Sequence, residues 1–161
     1  IFRTFAKVTK STKMNNLNLP EYSFKIKNTN GKPYIFDKIR KRFVALTPEE
    51  WVRQNVIEFL TIDKKYPAGR FGNEIKININ GMSKRCDSVF YDEQATPILI
   101  IEYKAPNVQI TQEVFDQIAT YNMQLQVRYI LISNGLKHFF AKSTTNYTNT
   151  FFLKRFLLLR N

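Results

Sequence analysis

The sequence predicts an α/β layered domain, strands and helices packed about one core, and three observations predict it. A helix start stands at Thr47-Pro48-Glu49-Glu50, an apolar stripe with helical spacing runs from Ile110 to Leu125, and short strand-forming runs bounded by turn residues surround these segments.

Residues 15–21 are polar and aperiodic. Residues 22–27 and 33–36 flank Asn28-Thr29-Asn30-Gly31-Lys32, whose Asn-Gly pair suits the positive φ angles of a two-residue hairpin turn. A basic stretch, residues 38–42, then leads to the first helix. Thr47 as N-cap, Pro48 at the first helical position and Glu50 three residues after Thr47 form a capping box, so the helix should run to about residue 60, with Val52, Val56 and Leu60 apolar among polar neighbours. Tyr66-Pro67-Ala68-Gly69 interrupts the chain. Residues 74–80 alternate as a strand with Ile75, Ile77 and Ile79 on one face, and Asn80-Gly81 turns into a second strand over residues 85–91. Residues 92–96 supply a turn, and residues 97–103 read as a buried strand. After the loop Ala105-Pro106-Asn107, Ile110, Val114, Ile118, Tyr121 and Leu125 recur every three or four residues, so residues 111–125 form a helix with one stripe against a sheet. Residues 128–133 and 136–141 make a last hairpin about Asn134-Gly135, with His138 expected at the surface.

With 161 residues, 43% of them hydrophobic, the chain suits one domain with a substantial core. Its apolar runs fall well short of the roughly 18–20 residues of a membrane span, and its start has no secretory-signal pattern, which implies a soluble, cytoplasmic protein without membrane partners. The net charge of +12 favours a polyanion as partner, because Lys and Arg neutralise phosphates and release counterions. Residues 1–13 carry four of those charges, Arg3, Lys7, Lys10 and Lys13, with no acid, and Met14 follows; they read as a leader outside a single domain of residues 14–161, which keeps +8. One Cys86 and one histidine exclude an internal disulfide and a Cys/His zinc cluster, so a metal here would be held by oxygen, as Mg²⁺ or Mn²⁺ are.

The most informative local feature is charge within a core strand. Glu102-Tyr103-Lys104 ends the apolar run Ile98-Leu99-Ile100-Ile101, and an antiparallel hairpin turning between Gln94 and Ala95 places Asp87 opposite Glu102 and Arg85 opposite Lys104. Opposed side chains share a face with Cβ atoms about 5 Å apart, where like charges repel. A divalent cation between the carboxylates converts that repulsion to ligation, and the two-residue period puts the Lys104 ammonium on the same face. The alternative is purely structural: Asp87 paired with Arg85 or a lysine, and Glu102 with Lys104 as a strand-end ion pair.

The ordered set Arg85-x-Asp87, Glu102-x-Lys104 and Gln117-x-x-x-Tyr121 resembles the PD-(D/E)xK nuclease superfamily, and within it the N-terminal nuclease domain of type I restriction enzyme R subunits and their small stand-alone relatives. The flanking segments Leu46-Thr47-Pro48-Glu49-Glu50-Trp51-Val52-Arg53-Gln54, Ala105-Pro106, Phe115-Asp116-Gln117-Ile118-Ala119 and Ser133-Asn134-Gly135 extend the likeness over residues 34–141. Cys86 replaces the family's proline before the first aspartate, and the tail after Lys142 does not extend the resemblance.

The resemblance implies a restriction-endonuclease-like core, a central mixed sheet of about five strands flanked by helices, and metal-dependent hydrolysis of phosphodiester bonds in DNA. It assigns Asp87 and Glu102 as Mg²⁺ ligands with the backbone carbonyl of Tyr103, Mn²⁺ serving as substitute. Lys104 acts on the attacking water and the transition-state charge, with Gln117 and Tyr121 beside the site. Glu50, Arg53, Glu74 and Arg85 are supporting candidates; Glu50 reads first as a helix cap, Arg53 as the partner of an acid or a phosphate, and the side on which Glu74 falls depends on register. RNA fits the charge as well as DNA does, and the protein partners implied are a second copy or restriction-system subunits. The rival reading is a nucleic-acid-binding or partner-binding module that keeps the scaffold without cleaving.

Overall fold

A computed structural model describes residues 14–142 and the backbone of Phe152–Arg155; the leader expected at residues 1–13 lies outside the described residues. Among the described residues, nine strands form two sheets. The first is a small antiparallel sheet of β1 (Ile26–Thr29), β2 (Lys32–Asp37) and β3 (Arg42–Ala45). The expected Asn30-Gly31 hairpin joins β1 to β2, with both residues at positive φ, 52° and 74°. β3 was not foreseen. The basic stretch before it folds as a turn because the Asp37 carboxylate accepts the Ile39 and Arg40 N–H groups at 2.7 and 2.8 Å, and Lys41 takes φ 52°.

The second sheet has six strands in sequence order: β4 (Phe71–Ile79), β5 (Met82–Tyr91), β6 (Pro97–Tyr103), β7 (Tyr129–Ser133), β8 (His138–Lys142) and β9 (Phe152–Arg155). Only β6 and β7 are parallel, and such a pair needs a crossover, supplied by α2 (Gln112–Leu125). The whole expected stripe of α2, Ile110 to Leu125, packs on one face of the sheet with Ile77, Ile100, Ile130 and Ile132. The other face packs on α1 (Pro48–Glu58) through Leu99, Ile101 and Tyr103 against Val52, Val56 and Ile57. A wide π-helical turn, Phe59–Asp63, prolongs α1 beyond the expected end. The result is an α/β fold with a restriction-endonuclease-like core.

The β5–β6 register is the expected one: Ser88 faces Ile101, Val89 faces Ile100 and Phe90 faces Leu99, with a shift only beside the turn at Phe90/Tyr91. Along β4 and β5 the alternation breaks at one place. Phe71 packs on the α1 side and Ile75, Ile77 and Ile79 on the α2 side, although a regular strand would keep all four together. On β5, Cys86 and Val89 both lie on the α2 side. The two strands therefore exchange faces together between the paired positions Asn73–Ser88 and Ile75–Cys86, where Glu74 takes the left-handed value φ 59°. The residues at the exchange are Glu74 and Asp87.

His138 is buried, contrary to the expectation of a surface position. Its Nδ1 lies 2.9 Å from Ser133 Oγ and its Nε2 3.3 Å from the Asn18 carbonyl, because the segment before β1 returns across the β7–β8 turn. Burial lowers its pKa, opposed by the Asn18 contact. The same segment donates the Asn18 N–H to the Gly135 carbonyl at 2.7 Å and seats Leu17 over Gly135. Gly135 has φ 80°, and a Cβ there would stand 2.6 Å from Leu17 Cδ2 and 3.1 Å from Val52 Cγ2. Gly135→Ala is expected to cost about 2–3 kcal/mol, combining left-handed strain with the clash. Denaturant unfolding checks this; an unchanged midpoint would place Leu17 elsewhere.

Candidate active site

The β5–β6 ladder ends at the charged pair. The Asp87 Oδ2 accepts the Tyr103 N–H at 2.9 Å, a side chain substituting for a strand bond where the ladder stops. Its Oδ1 takes Arg53 Nη2 from α1 at 3.0 Å. Glu102, 3% exposed, accepts Lys104 Nζ at 2.6 Å and Gln117 Nε2 at 3.0 Å on one oxygen, Oε1. Gln117 Nε2 also donates to the Tyr121 hydroxyl at 3.0 Å, one helical turn along α2. The other oxygen, Oε2, is buried without a hydrogen-bond partner, as is Arg53 Nε. Asp87 and Glu102 are thus neighbours whose partners come from different layers, α1 for one and α2 for the other. The flanking register keeps Asp87 opposite Glu102, as expected, while the face exchange at Glu74 and Asp87 lets Asp87 reach Arg53 of α1.

The electrostatics follow from this packing. Burial, then the charge of Asp87, raises the Glu102 pKa to about 7, although Lys104 opposes the shift. Burial likewise raises Asp87, against the pull of Arg53, the Tyr103 N–H and Lys104. Burial works against the Lys104 ammonium, but the hydrogen bond and charge of Glu102 outweigh it and its pKa is raised. Two neighbouring carboxylates share a deficit of positive charge, and one carries an unused oxygen.

The supporting candidates fall into a second cluster. Arg53 is 4% exposed at its side chain and holds Glu50 at 2.8 Å, Glu74 at 2.8 Å and Asp87 at 3.0 Å, its guanidinium carbon 5.4 Å from the Tyr103 ring centre. Glu50 is a clamp acid, which corrects its reading as the returning half of a capping box. Thr47 Oγ1 does accept the Glu50 N–H at 3.0 Å, but the Thr47 N–H goes to the Ala45 carbonyl. The Glu50 carboxylate takes Arg40 at 2.6 Å, Arg53 at 2.8 Å and Gln54 at 2.8 Å, since charged bonds to guanidinium outweigh a bond to a neutral amide. Arg85 binds Glu74 at 3.0 Å and is 61% exposed. Arg53, Arg85 and Arg40 together overcome burial and lower the Glu74 pKa.

Sequence reasoning missed several members. Glu49, rather than Glu50, is the α1 acid in the field of the pair: burial and then Asp87 raise its pKa while Lys104 and Arg53 oppose. The only signal was its place beside Glu50, and which of two adjacent helix acids comes within the field of Asp87 depends on how α1 docks. Arg40, from the β2–β3 turn, reaches Glu50 and Asp37. Beneath the cluster a polar chain runs from the Tyr103 hydroxyl to Ser88 Oγ at 3.1 Å, on to Asn73 at 2.6 Å and to Asp37 at 3.0 Å, so each buried group is satisfied.

The donor set suits a hard divalent cation. Among the described residues no group of three or more His, Cys, Asp or Glu is arranged to hold a metal ion, but Mg²⁺ characteristically takes one or two carboxylates and keeps its waters, and Glu102, with its orphaned Oε2, and the neighbouring Asp87 offer that number.

The fold, a mixed sheet with helices on both faces, defines an α/β module with a restriction-endonuclease-like core. The sequence model of the family described as "Type I restriction enzyme R protein N terminus" matches residues 48–156. The chain belongs to that family. The match passes residue 142 and takes in β9, which corrects the expectation that the tail stands outside the resemblance, and it begins after the small sheet. No curated protein matches the chain. Among the described residues, no helix is long and apolar enough to cross a membrane.

Proposed function

We propose that this chain is a metal-dependent nuclease hydrolysing phosphodiester bonds in DNA, working in the cytoplasm with a second copy or restriction-system subunits as partners. One observation carries the reading: a buried glutamate, Glu102, keeps one oxygen unpartnered beside Asp87 while Lys104 and Gln117 fix the other. Leaving a buried carboxylate oxygen unpaired costs about 1–3 kcal/mol, a cost a structural ion pair has no need to carry.

Asp87 and Glu102 would hold Mg²⁺ or Mn²⁺, with the Tyr103 carbonyl as a further ligand. Bound there, the ion supplies acidification of a water and polarisation of the phosphate. Lys104, kept an ammonium by Glu102, offsets charge on the phosphorane-like transition state and orients the water. Gln117 anchors Glu102 and Tyr121 anchors Gln117, so both are positioning groups.

A second reading, a binding module that does not cleave, draws on Arg53, whose guanidinium already neutralises Asp87. Incubation of supercoiled, linear and single-stranded DNA and of RNA with Mg²⁺, Mn²⁺ or EDTA separates the two. Metal-dependent cutting of DNA supports the nuclease; intact substrates with binding retained favour the module. Lys104→Met is expected to slow cleavage about 10²-fold or more while changing Mg²⁺ affinity little. Unchanged turnover would remove its assigned role.

A further inference from the structure

The small sheet ahead of the family-matched region has one face whose chemistry the active site does not use. Alternation along β2 turns Ile35 and Asp37 inward, both fully buried, and leaves Tyr34 and Phe36 half-buried on the outside. Register brings Phe43 of β3 beside Phe36, their ring centres 5.3 Å apart, and Lys27 of β1 beside Tyr34. Lys27 Nζ stands 4.4 Å from the Phe43 ring centre and 5.9 Å from that of Tyr34, and Lys25 Nζ 5.7 Å from that of Phe36. Lys32 is exposed on the same hairpin. Residues 22–46 contain seven Lys or Arg and one acid, and that acid, Asp37, is on the buried side.

We propose that this face of β1–β3 is a docking platform for single-stranded DNA. Charge complementarity commits it to a polyanion, because Lys27 and Lys32 are exposed on this face and the one acid of residues 22–46, Asp37, is on the buried side. The aromatic rings select the strandedness: Tyr34, Phe36 and Phe43 offer π faces to unstacked bases, which a duplex keeps within its own stack. A base settling on a ring displaces the lysine above it, and the freed ammonium is then within reach of the adjoining phosphate. The platform adjoins the site, since Arg40 in the β2–β3 turn binds Glu50 and approaches Glu74, two of the acids that hold Arg53. The choice of DNA rests on the nuclease reading.

The test measures anisotropy of labelled oligonucleotides with the full chain in EDTA, so that binding is read without cleavage. Tyr34→Leu/Phe43→Leu keeps apolar burial and removes the π faces; it is expected to weaken single-stranded DNA roughly tenfold and leave duplex affinity within about twofold. Lys27→Gln/Lys32→Gln should lower the slope of log K against log salt for single-stranded DNA by about 1.4, from about 0.7 per lysine. Circular dichroism verifies folding of both variants. Unchanged single-strand binding by both, equal losses on duplex and single strand, or a preference for RNA that the variants abolish would each overturn the proposal. Failure of the nuclease reading is seen separately, as cleavage by a Glu102→Ala variant equal to that of the parent chain.

Discussion

Glu102→Gln is expected to abolish metal-dependent cleavage and, in EDTA at neutral pH, to make the protein more stable. The first effect follows from its assignment as a metal ligand whose second oxygen has no other partner; loss of about 10³-fold or more is expected, with DNA binding retained. The second follows from its titration. Its folded pKa, about 7, lies above the ordinary glutamate value of 4.5. Below pH 4.5 both folded and unfolded chains carry the proton and nothing is lost. As pH rises from there through about 7, the unfolded chain releases the proton first, so the parent protein progressively loses on the order of 3 kcal/mol. A glutamine has no such titration. The variant should therefore melt several degrees higher at pH 8 without metal, and the difference should vanish near pH 4. Saturating Mg²⁺ should narrow the gap by stabilising only the parent. A variant less stable at pH 8 would make Glu102 a structural ion-pair acid, and undiminished cleavage would remove the nuclease assignment.

Arg53→Met should have the largest effect on stability. One buried guanidinium holds Glu50, Glu74 and Asp87, and removing it leaves Glu50 and Glu74 to Arg40 and Arg85 and Asp87 to the field of Lys104. Breaking a buried ion pair from one side costs about 3–5 kcal/mol, against at most about 1 kcal/mol for an exposed pair such as Arg70–Glu93, whose glutamate is 72% exposed. The pH dependence has a definite sign. Arg53 heads the groups that lower the Glu74 pKa, so the stability it confers is present above about pH 4.5 and is lost as the carboxylate protonates at lower pH. The gap between parent and variant should be widest near neutrality and shrink in acid. Mg²⁺ or Mn²⁺ should raise the melting temperature of the variant more than that of the parent, because a cation can replace the missing charge beside Asp87. Equal stability at pH 7 would contradict the clamp.

Much of the fold was legible because its signals are local. The α2 stripe, the Asn30-Gly31 turn, the Thr47 cap and the β5–β6 register each depend on residues within one hairpin or a few helical turns, and all four hold. The contact of Lys104 with Glu102 was legible for the same reason, two residues apart on one strand. β3, the burial of His138 and the strand after residue 150 were not: the Asp37 turn that makes β3 is local but carries no Asn-Gly signal, His138 is covered by the Asn18 segment from far off in sequence, and β9 is set by its pairing with β8.

By itself, then, the sequence determined the α/β class, the positions of Asp87, Glu102 and Lys104 along paired strands, and the helix that presents Gln117 and Tyr121. Only the tertiary structure decided which charges answer which. Glu74 and Asp87 exchange sheet faces together, and that exchange brings Asp87 to Arg53 of α1 while Glu102 is held by Gln117 of α2. The docking of α1 turned Glu50 into the Arg40–Arg53 clamp and left Glu49 in the field of the pair. The physical reason is range: periodicity and turn chemistry act over a few residues, whereas a buried charge is satisfied by whatever opposite charge the packing of separate layers brings within about 3 Å.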